Sequence, residues 1–161
     1  MISVLFVCTA NQFRSPIAAG CFSKKISELG WKSEWIVSSA GVWGANGQPA
    51  LPEAEQVARK LGFSLEGHKS TLITPALVSV NDLILVMEAG QKEALQNEFF
   101  IYRSRILLLS EVTDGSAYDI PDPIAEGLDR CMEVGAEISV LIEKGFYRIC
   151  NQALRKGMRI P

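Results

Sequence analysis

Four short stretches of this chain are apolar at nearly every position: Val4-Leu5-Phe6-Val7, Trp35-Ile36-Val37-Ser38, Leu83-Ile84-Leu85-Val86-Met87 and Ile106-Leu107-Leu108-Leu109. Unbroken apolar runs of this length predict strands buried on both faces. The segments between them carry apolar residues at helical spacing instead. Ile17, Ala18, Cys21, Phe22, Ile26 and Leu29 mark a helix that opens at Ser15-Pro16, with Ser15 as cap and Pro16 in the first turn, and ends at Gly30. Glu53 to Leu61 reads as a second helix stopped by Gly62, and Glu88 to Phe99 as a third. A long amphipathic helix from about Gly127 to Lys144 sets Cys131, Val134, Ile138 and Ile142 on one stripe. The second strand is expected to break at Ala40-Gly41. The stretches from Val42 to Pro52 and from Thr113 to Pro123 read as loops.

Strands alternating with helices imply an α/β domain of three layers, a parallel sheet covered by helices on both faces, with right-handed crossovers. Ligands of such sheets sit beyond the carboxyl ends of the strands. Cys8 is expected there, one residue past the first strand. No repeat, linker or low-complexity stretch divides the sequence, so residues 1–161 are expected to form a single domain.

Composition works mainly by exclusion. The 48% hydrophobic and 21% charged content is that of an ordinary globule. No apolar run approaches the roughly 20 residues that a bilayer demands. The apolar start lacks a basic leader and a small-residue cleavage site. No membrane insertion and a cytoplasmic location are therefore expected. A net charge of −2 gives no reason to expect a nucleic acid partner. The basic tail Arg155-Lys156-Gly157-Met158-Arg159 reads as solvated terminus. Four cysteines, Cys8, Cys21, Cys131 and Cys150, are scattered without a Cys-x-x-Cys pair, which suggests neither a disulfide framework nor a metal site. No metal and no cofactor are expected.

The segment Cys8-Thr9-Ala10-Asn11-Gln12-Phe13-Arg14-Ser15 changes this picture. It joins the end of a buried strand to the start of a helix. Backbone N–H groups of such a loop form an anion-binding nest, reinforced by the helix dipole. The same field favours thiolate over thiol at Cys8, and Arg14 adds a planar fork of donors suited to two phosphate oxygens. The spacing Cys-x5-Arg is weak by itself, and Cys8 alone would read as a small buried hydrophobe. The strand before it and the helix after it carry the argument. Asn11 sits mid-loop, where tolerance of left-handed backbone is useful. A phosphatase of this design needs a proton donor for the leaving oxygen. Asp122, in Tyr118-Asp119-Ile120-Pro121-Asp122-Pro123, follows the last strand, at the same end of the sheet, on a loop stiffened by proline on each side. A helix cap or a turn is the alternative role for Asp122, and Asp119 is the alternative acid.

These residues resemble the low-molecular-weight protein tyrosine phosphatases over nearly the whole chain. The likeness covers Val4 to Pro16, Ser39-Ala40-Gly41, Leu65-Glu66-Gly67-His68, Asp82 to Glu88 and Ile120-Pro121-Asp122-Pro123. The order and spacing look most like bacterial members associated with polysaccharide export. The resemblance implies a four-stranded parallel sheet in the order 2-1-3-4. It implies Cys8 as nucleophile, Arg14 as phosphate clamp and Asp122 as general acid, then base, with phosphate held by residues Thr9 to Ser15. It further implies that Asn11, Ser15, Ser39 and His68 hold the loop in shape through hydrogen bonds. The expected substrate is a phosphotyrosine protein, such as a bacterial tyrosine kinase, and the expected state is a monomer or weak dimer.

Several positions depart from the family pattern. Ala10 stands for a usual Gly, and Phe13 for a common second loop cysteine. Gln12 replaces a usual Ile or Thr on the pocket wall. Ile124 replaces the aromatic that usually follows the acid-loop proline, and Trp43 is a candidate replacement wall. Gln12 leaves a phosphoarginine phosphatase open beside the phosphotyrosine reading. Three other rivals are an arsenate reductase, which would need further cysteines, a sugar-transport phosphocarrier, which would not need Arg14, and a non-catalytic phosphoprotein-binding module.

Overall fold

A computed structural model describes residues 1–158; Arg159, expected in the basic tail, and the last two residues of the expected domain lie outside the described residues. Its elements run β1 (Ile2–Cys8), α1 (Arg14–Glu28), β2 (Trp35–Gly41), α2 (Pro52–Leu61), α3 (Pro75–Val80), β3 (Leu83–Val86), α4 (Ala89–Glu98), a 3₁₀ turn (Phe100–Arg105), β4 (Ile106–Leu108), α5 (Leu109–Thr113) and α6 (Leu128–Gly157). All strand pairs are parallel, and the sheet order is β2-β1-β3-β4, as the resemblance implied.

The runs of β1 and β3 are buried on both faces because alternate side chains serve two cores, whereas β2, at the sheet edge, leaves Ile36 47% exposed. Val4, Phe6 and Cys8 of β1 face the larger core with Leu83 and Leu85, under α1, α2 and α6. Leu5 and Val7 face the smaller core with Ile84 and Val86, under α3, α4 and the 3₁₀ turn. The stripe Cys131, Val134, Ile138 and Ile142 lies in the larger core. Phe22 is its aromatic centre, with ring centroids 5.7 Å from Phe6, 5.7 Å from Trp35 and 5.1 Å from Phe146.

Several boundaries differ from the expectation. Cys8 ends β1 rather than following it, and β2 continues through Ala40 to Gly41 because Cys8 pairs with Gly41 in register. Gly41 has a spatial reason to be glycine: a Cβ there would lie 2.6 Å from the Thr9 carbonyl oxygen. Helix α1 begins at Arg14, with Phe13 at its cap position and no side-chain cap. Ser15 is therefore inside the helix, its hydroxyl engaged elsewhere. Helix α6 runs on to Gly157, because Phe146, Ile149, Cys150 and Ala153 continue the buried stripe past Lys144. Arg155 and Lys156 thus stand in its last turn, where cations suit the dipole. Leu109 starts α5 instead of ending β4.

Candidate active site

The loop from Thr9 to Phe13 links β1 to α1 at the carboxyl end of the sheet. Its carbonyls are bonded to surrounding chain. The Cys8 oxygen accepts from Val42 N–H at 3.0 Å, Thr9 from Trp43 at 2.9 Å, Gln12 from Leu51 at 3.1 Å and Phe13 from Ile17 at 3.1 Å. In a trans peptide the N–H points opposite to the carbonyl. Carbonyls bonded to the surrounding chain therefore turn the amides of Thr9, Ala10, Phe13 and Arg14 away from those partners, the orientation that an anion-binding nest requires.

Asn11 shapes the loop. It is wholly buried and, among the described residues, the one non-glycine with positive φ, at 58°. A left-handed residue costs about 1–2 kcal/mol, and four hydrogen bonds hold it there. Nδ2 donates to Ser15 Oγ and to Ser39 Oγ, each at 2.9 Å, and Oδ1 accepts from Thr71 N–H at 2.9 Å. His68 Nε2 lies 2.8 Å from the Asn11 carbonyl oxygen. A carbonyl only accepts, so this nitrogen carries the proton. The structure thus joins Asn11, Ser15, Ser39 and His68 in one network and adds Thr71. Ala10 stays outside the left-handed region, so its Cβ brings no strain of that kind.

Cys8 is 3% exposed, and its Sγ lies 3.0 Å from Ser15 Oγ. Ser15 Oγ also reaches the Ala40 carbonyl at 3.3 Å. Phe13 contributes backbone only, since its ring lies in the larger core. Gln12 donates from Nε2 to the Pro49 carbonyl at 3.0 Å, fixing its amide beside the loop from Val42 to Leu51.

Arg14 is the largest fully buried side chain, at 2% exposure. A buried guanidinium needs partners for its charge and its five N–H groups. Nη1 donates to Glu88 Oε1 and, at 2.9 Å, to the Ile120 carbonyl. Nη2 donates to Thr9 Oγ1 at 3.2 Å and stands 3.5 Å from Asp122 Oδ2. Among the described residues that leaves Nε–H and one Nη2–H without a hydrogen-bond partner, two donors for the oxygens of a tetrahedral anion. Glu88 was missed as a partner. Its signal was legible: a carboxylate just beyond β3, at the same end of the sheet as Arg14. Gln91 was missed as well, with Nε2 donating to Thr9 Oγ1 at 3.1 Å.

The segment bearing Asp122 is tied down at several points. Ile120 N–H donates to the Met87 carbonyl at 2.9 Å, and Asp119 Oδ1 accepts from Ala89 N–H, at the start of α4, at 2.8 Å. The Pro123 carbonyl accepts from Glu126 N–H at 3.0 Å and from the Cys131 thiol at 3.6 Å. Asp122, rather than Asp119, is left facing Arg14. Trp43 and Ile124 are exposed, at 74% and 45%.

The arrangement of a sunken thiol, loop amides, a fixed guanidinium and a facing carboxylic acid suits in-line transfer of a phosphoryl group. The comparisons with known proteins agree. Residues 3–157 match the family model described as low molecular weight phosphotyrosine protein phosphatase. The chain belongs to this family. It is accordingly a cysteine-dependent protein phosphatase. The low molecular weight protein-tyrosine-phosphatase Etp of Escherichia coli K12 is 36% identical, over 79% of this chain and 80% of Etp. A protein-arginine-phosphatase of Bacillus subtilis is 29% identical over 89% of this chain and 93% of its own length. The crystal structure of a low molecular weight protein tyrosine phosphatase from T. tengcongensis superposes with a TM-score of 0.85 at 33% identity, covering 92% of this chain and 99% of that one.

Among the described residues, no group of three or more His, Cys, Asp or Glu side chains is placed to hold a metal ion, and no helix is long and apolar enough to cross a membrane.

Proposed function

We propose that residues 1–161 form one phosphatase domain that hydrolyses phosphotyrosine in protein substrates through a phosphocysteine on Cys8. The observation that carries this reading is the placement of Arg14 Nη2 between the Cys8 loop and Asp122. In the first step Cys8 Sγ attacks phosphorus, the S–P bond forms, and the ester O–P bond breaks as Asp122 protonates the leaving oxygen. In the second, Asp122 takes a proton from water, the water oxygen attacks phosphorus, and the S–P bond breaks. The Ser15 hydroxyl, 3.0 Å from the sulfur, turns its one proton from the Ala40 carbonyl to the departing thiolate and stabilises it. Arg14 and the loop amides of Thr9, Ala10, Phe13 and Arg14 carry the transferring charge. The network of Asn11, Ser15, Ser39 and His68 keeps the loop in shape. Trp43 and Ile124 form the walls of the mouth, with Gln12 on its rim.

Cys8 sits on the floor of the loop, so the reach of the substrate decides turnover. A phosphotyrosine ring carries phosphorus several bonds farther from the peptide backbone than a phosphoserine stem does, which favours it for a sulfur only 3% exposed. Misplacement by about 1 Å costs about a hundredfold. Peptides of one sequence bearing phosphotyrosine or phosphoserine should therefore differ in kcat/KM by about 10² or more. Near-equal rates would count against the reading. A phosphoarginine peptide belongs in the same experiment. The Gln12 amide at the rim and the similarity to protein-arginine-phosphatases favour that substrate as the second reading. A higher kcat/KM for phosphoarginine than for phosphotyrosine would establish it. Absence of any steady-state turnover would instead support a phosphocarrier or a binding module.

A bacterial tyrosine kinase of polysaccharide export is the physiological partner we favour, on the resemblance noted in the sequence. All four cysteines are free thiols, which suits a cytoplasmic protein, and a monomer or weak dimer is the assembly that the resemblance favours.

The same thiols bear on oxidation. Burial pushes Cys21 and Cys150 up to about 11, and burial, with Glu53, Asp122 and Glu126 nearby, also raises Cys131. A raised value keeps a cysteine protonated at neutral pH, and protonated thiols resolve a sulfenic acid slowly. Phe13 occupies the place of a second loop cysteine. Graded peroxide should therefore carry Cys8 to sulfinic and sulfonic acid. Mass spectrometry showing a dominant, reducible disulfide to Cys8 would contradict this, and would revive the arsenate reductase reading.

A further inference from the structure

Thr9 follows Cys8 in the loop, and two donors converge on its hydroxyl oxygen. Arg14 Nη2 donates at 3.2 Å and Gln91 Nε2 at 3.1 Å. Neither donor can turn round and accept. A guanidinium has no acceptor at all. The Gln91 amide is oriented by its other end, because Oε1 accepts from Met87 N–H at 3.2 Å and Glu88 N–H at 3.1 Å. Flipping the amide would set two backbone N–H groups against an NH2. Gln91 is itself buried, at 8% exposure.

A hydroxyl has two lone pairs and one proton. Both lone pairs of Thr9 are engaged, so its proton is free to be given only to a third group. The space left for that group is the mouth shared with Arg14 Nη2 and Asp122 Oδ2, which are 3.5 Å apart. An anion held by the remaining Nη2–H lies beside Thr9 Oγ1. We propose that the Thr9 hydroxyl donates a hydrogen bond to the bound phosphoryl group, and that Gln91 is the positioning residue that imposes this polarity. Thr9 then adds a side-chain donor to the backbone nest. Gln91, 82 positions away in sequence, tunes phosphate recognition without touching substrate. The inference rests on the phosphatase reading above.

The test is a double-mutant cycle of Thr9→Val and Gln91→Glu. Thr9→Val removes the hydroxyl at nearly constant shape. Gln91→Glu keeps an oxygen for the Met87 and Glu88 N–H groups but replaces the NH2 donor with an acceptor, which draws the Thr9 proton away from the mouth. Each single variant should lose about ten- to a hundredfold in kcat/KM for an aryl phosphate, the range of a hydrogen bond to a charged group. In the Thr9→Val background, Gln91→Glu should cost at least about fivefold less than it does alone. A structural role for Gln91, or simple repulsion by the new charge, predicts the same loss in both backgrounds, and that result would overturn the inference. A silent Thr9→Val would overturn it too. Binding of inorganic phosphate, followed by calorimetry, should weaken in the same pattern without any turnover. That arm stays readable if the phosphatase reading fails.

Discussion

Cys8→Ser should abolish turnover, by about 10⁴-fold or more, the scale on which loss of a nucleophile acts, while phosphate still binds. Serine at this position keeps the shape but loses the chemistry. A hydroxyl is a far weaker nucleophile than a thiolate and, once phosphorylated, a far poorer leaving group, and among the described residues no base is bonded to the side chain at this position. The neighbour of Cys8 Sγ is Ser15 Oγ, another hydroxyl. The single histidine of the chain, His68, is committed to the Asn11 carbonyl. The anion cradle does not depend on sulfur. Arg14, held by Glu88 and Ile120, and the loop amides remain. Calorimetry with inorganic phosphate should therefore show binding in the variant, and hydrolysis of an aryl phosphate should fall to background. Turnover near the wild-type rate would remove Cys8 from the mechanism.

The central strands were legible because burial on both faces leaves a short unbroken apolar run, which its length and the turn residues around it mark as strand rather than helix. The runs at Val4–Val7 and Leu83–Met87 each serve two cores, and both were found. Short elements were not legible. Helix α3 buries Val78 fully and Leu77 only in part, and Thr74, its cap, is one polar residue in a stretch that otherwise reads as loop. The C-terminal half of α6 was missed for a different reason. Gly145 and Gly157 interrupt the pattern, yet Phe146, Ile149 and Ala153 continue the buried stripe across the first of them.

Within the site, local signals were readable and distant pairings were not. Cys8, Arg14 and Asn11 lie within seven residues, so the strand–loop–helix context defined their geometry. Ser15 was read as a cap because Ser before Pro usually is one. Its hydroxyl instead lies between Cys8, Asn11 and Ala40, and the helix begins one residue earlier. Glu88, Gln91 and Thr71 meet the loop only through the fold. Glu88, 74 residues from Arg14, could be placed only at the right end of the sheet by its position just beyond β3, and the separations of Gln91 from Thr9, 82 residues, and of Thr71 from Asn11, 60 residues, leave no trace in any local pattern.

Asp122→Asn should lower the rate about 10²–10⁴-fold with alkyl or ordinary aryl esters, the usual scope of general acid catalysis. The substitution is close to isosteric. An amide oxygen still accepts from Ile124 N–H, now 3.2 Å from Asp122 Oδ1, and the ties at Asp119, Ile120 and Pro123 are untouched. What disappears is the proton for the leaving oxygen and, later, the base for water. The first loss depends on the leaving group. Esters of strongly acidic phenols depart with little protonation, so the penalty in the first step should shrink along a series of increasingly acidic phenols. The second step does not involve the leaving group, so a residual deficit should remain across the whole series. Asp119→Asn separates the two candidate acids. The Asp119 carboxylate accepts from Ala89 N–H at the start of α4 and stays out of the ion pair with Arg14. Removing its charge should leave the leaving-group dependence unchanged, with a small loss of stability from the weakened interaction at the helix start, about 0.3–1 kcal/mol. If Asp119→Asn instead steepens the dependence on leaving group and Asp122→Asn does not, the acid is Asp119, and the loop must move from the position in which Ile120 and Asp122 face Arg14.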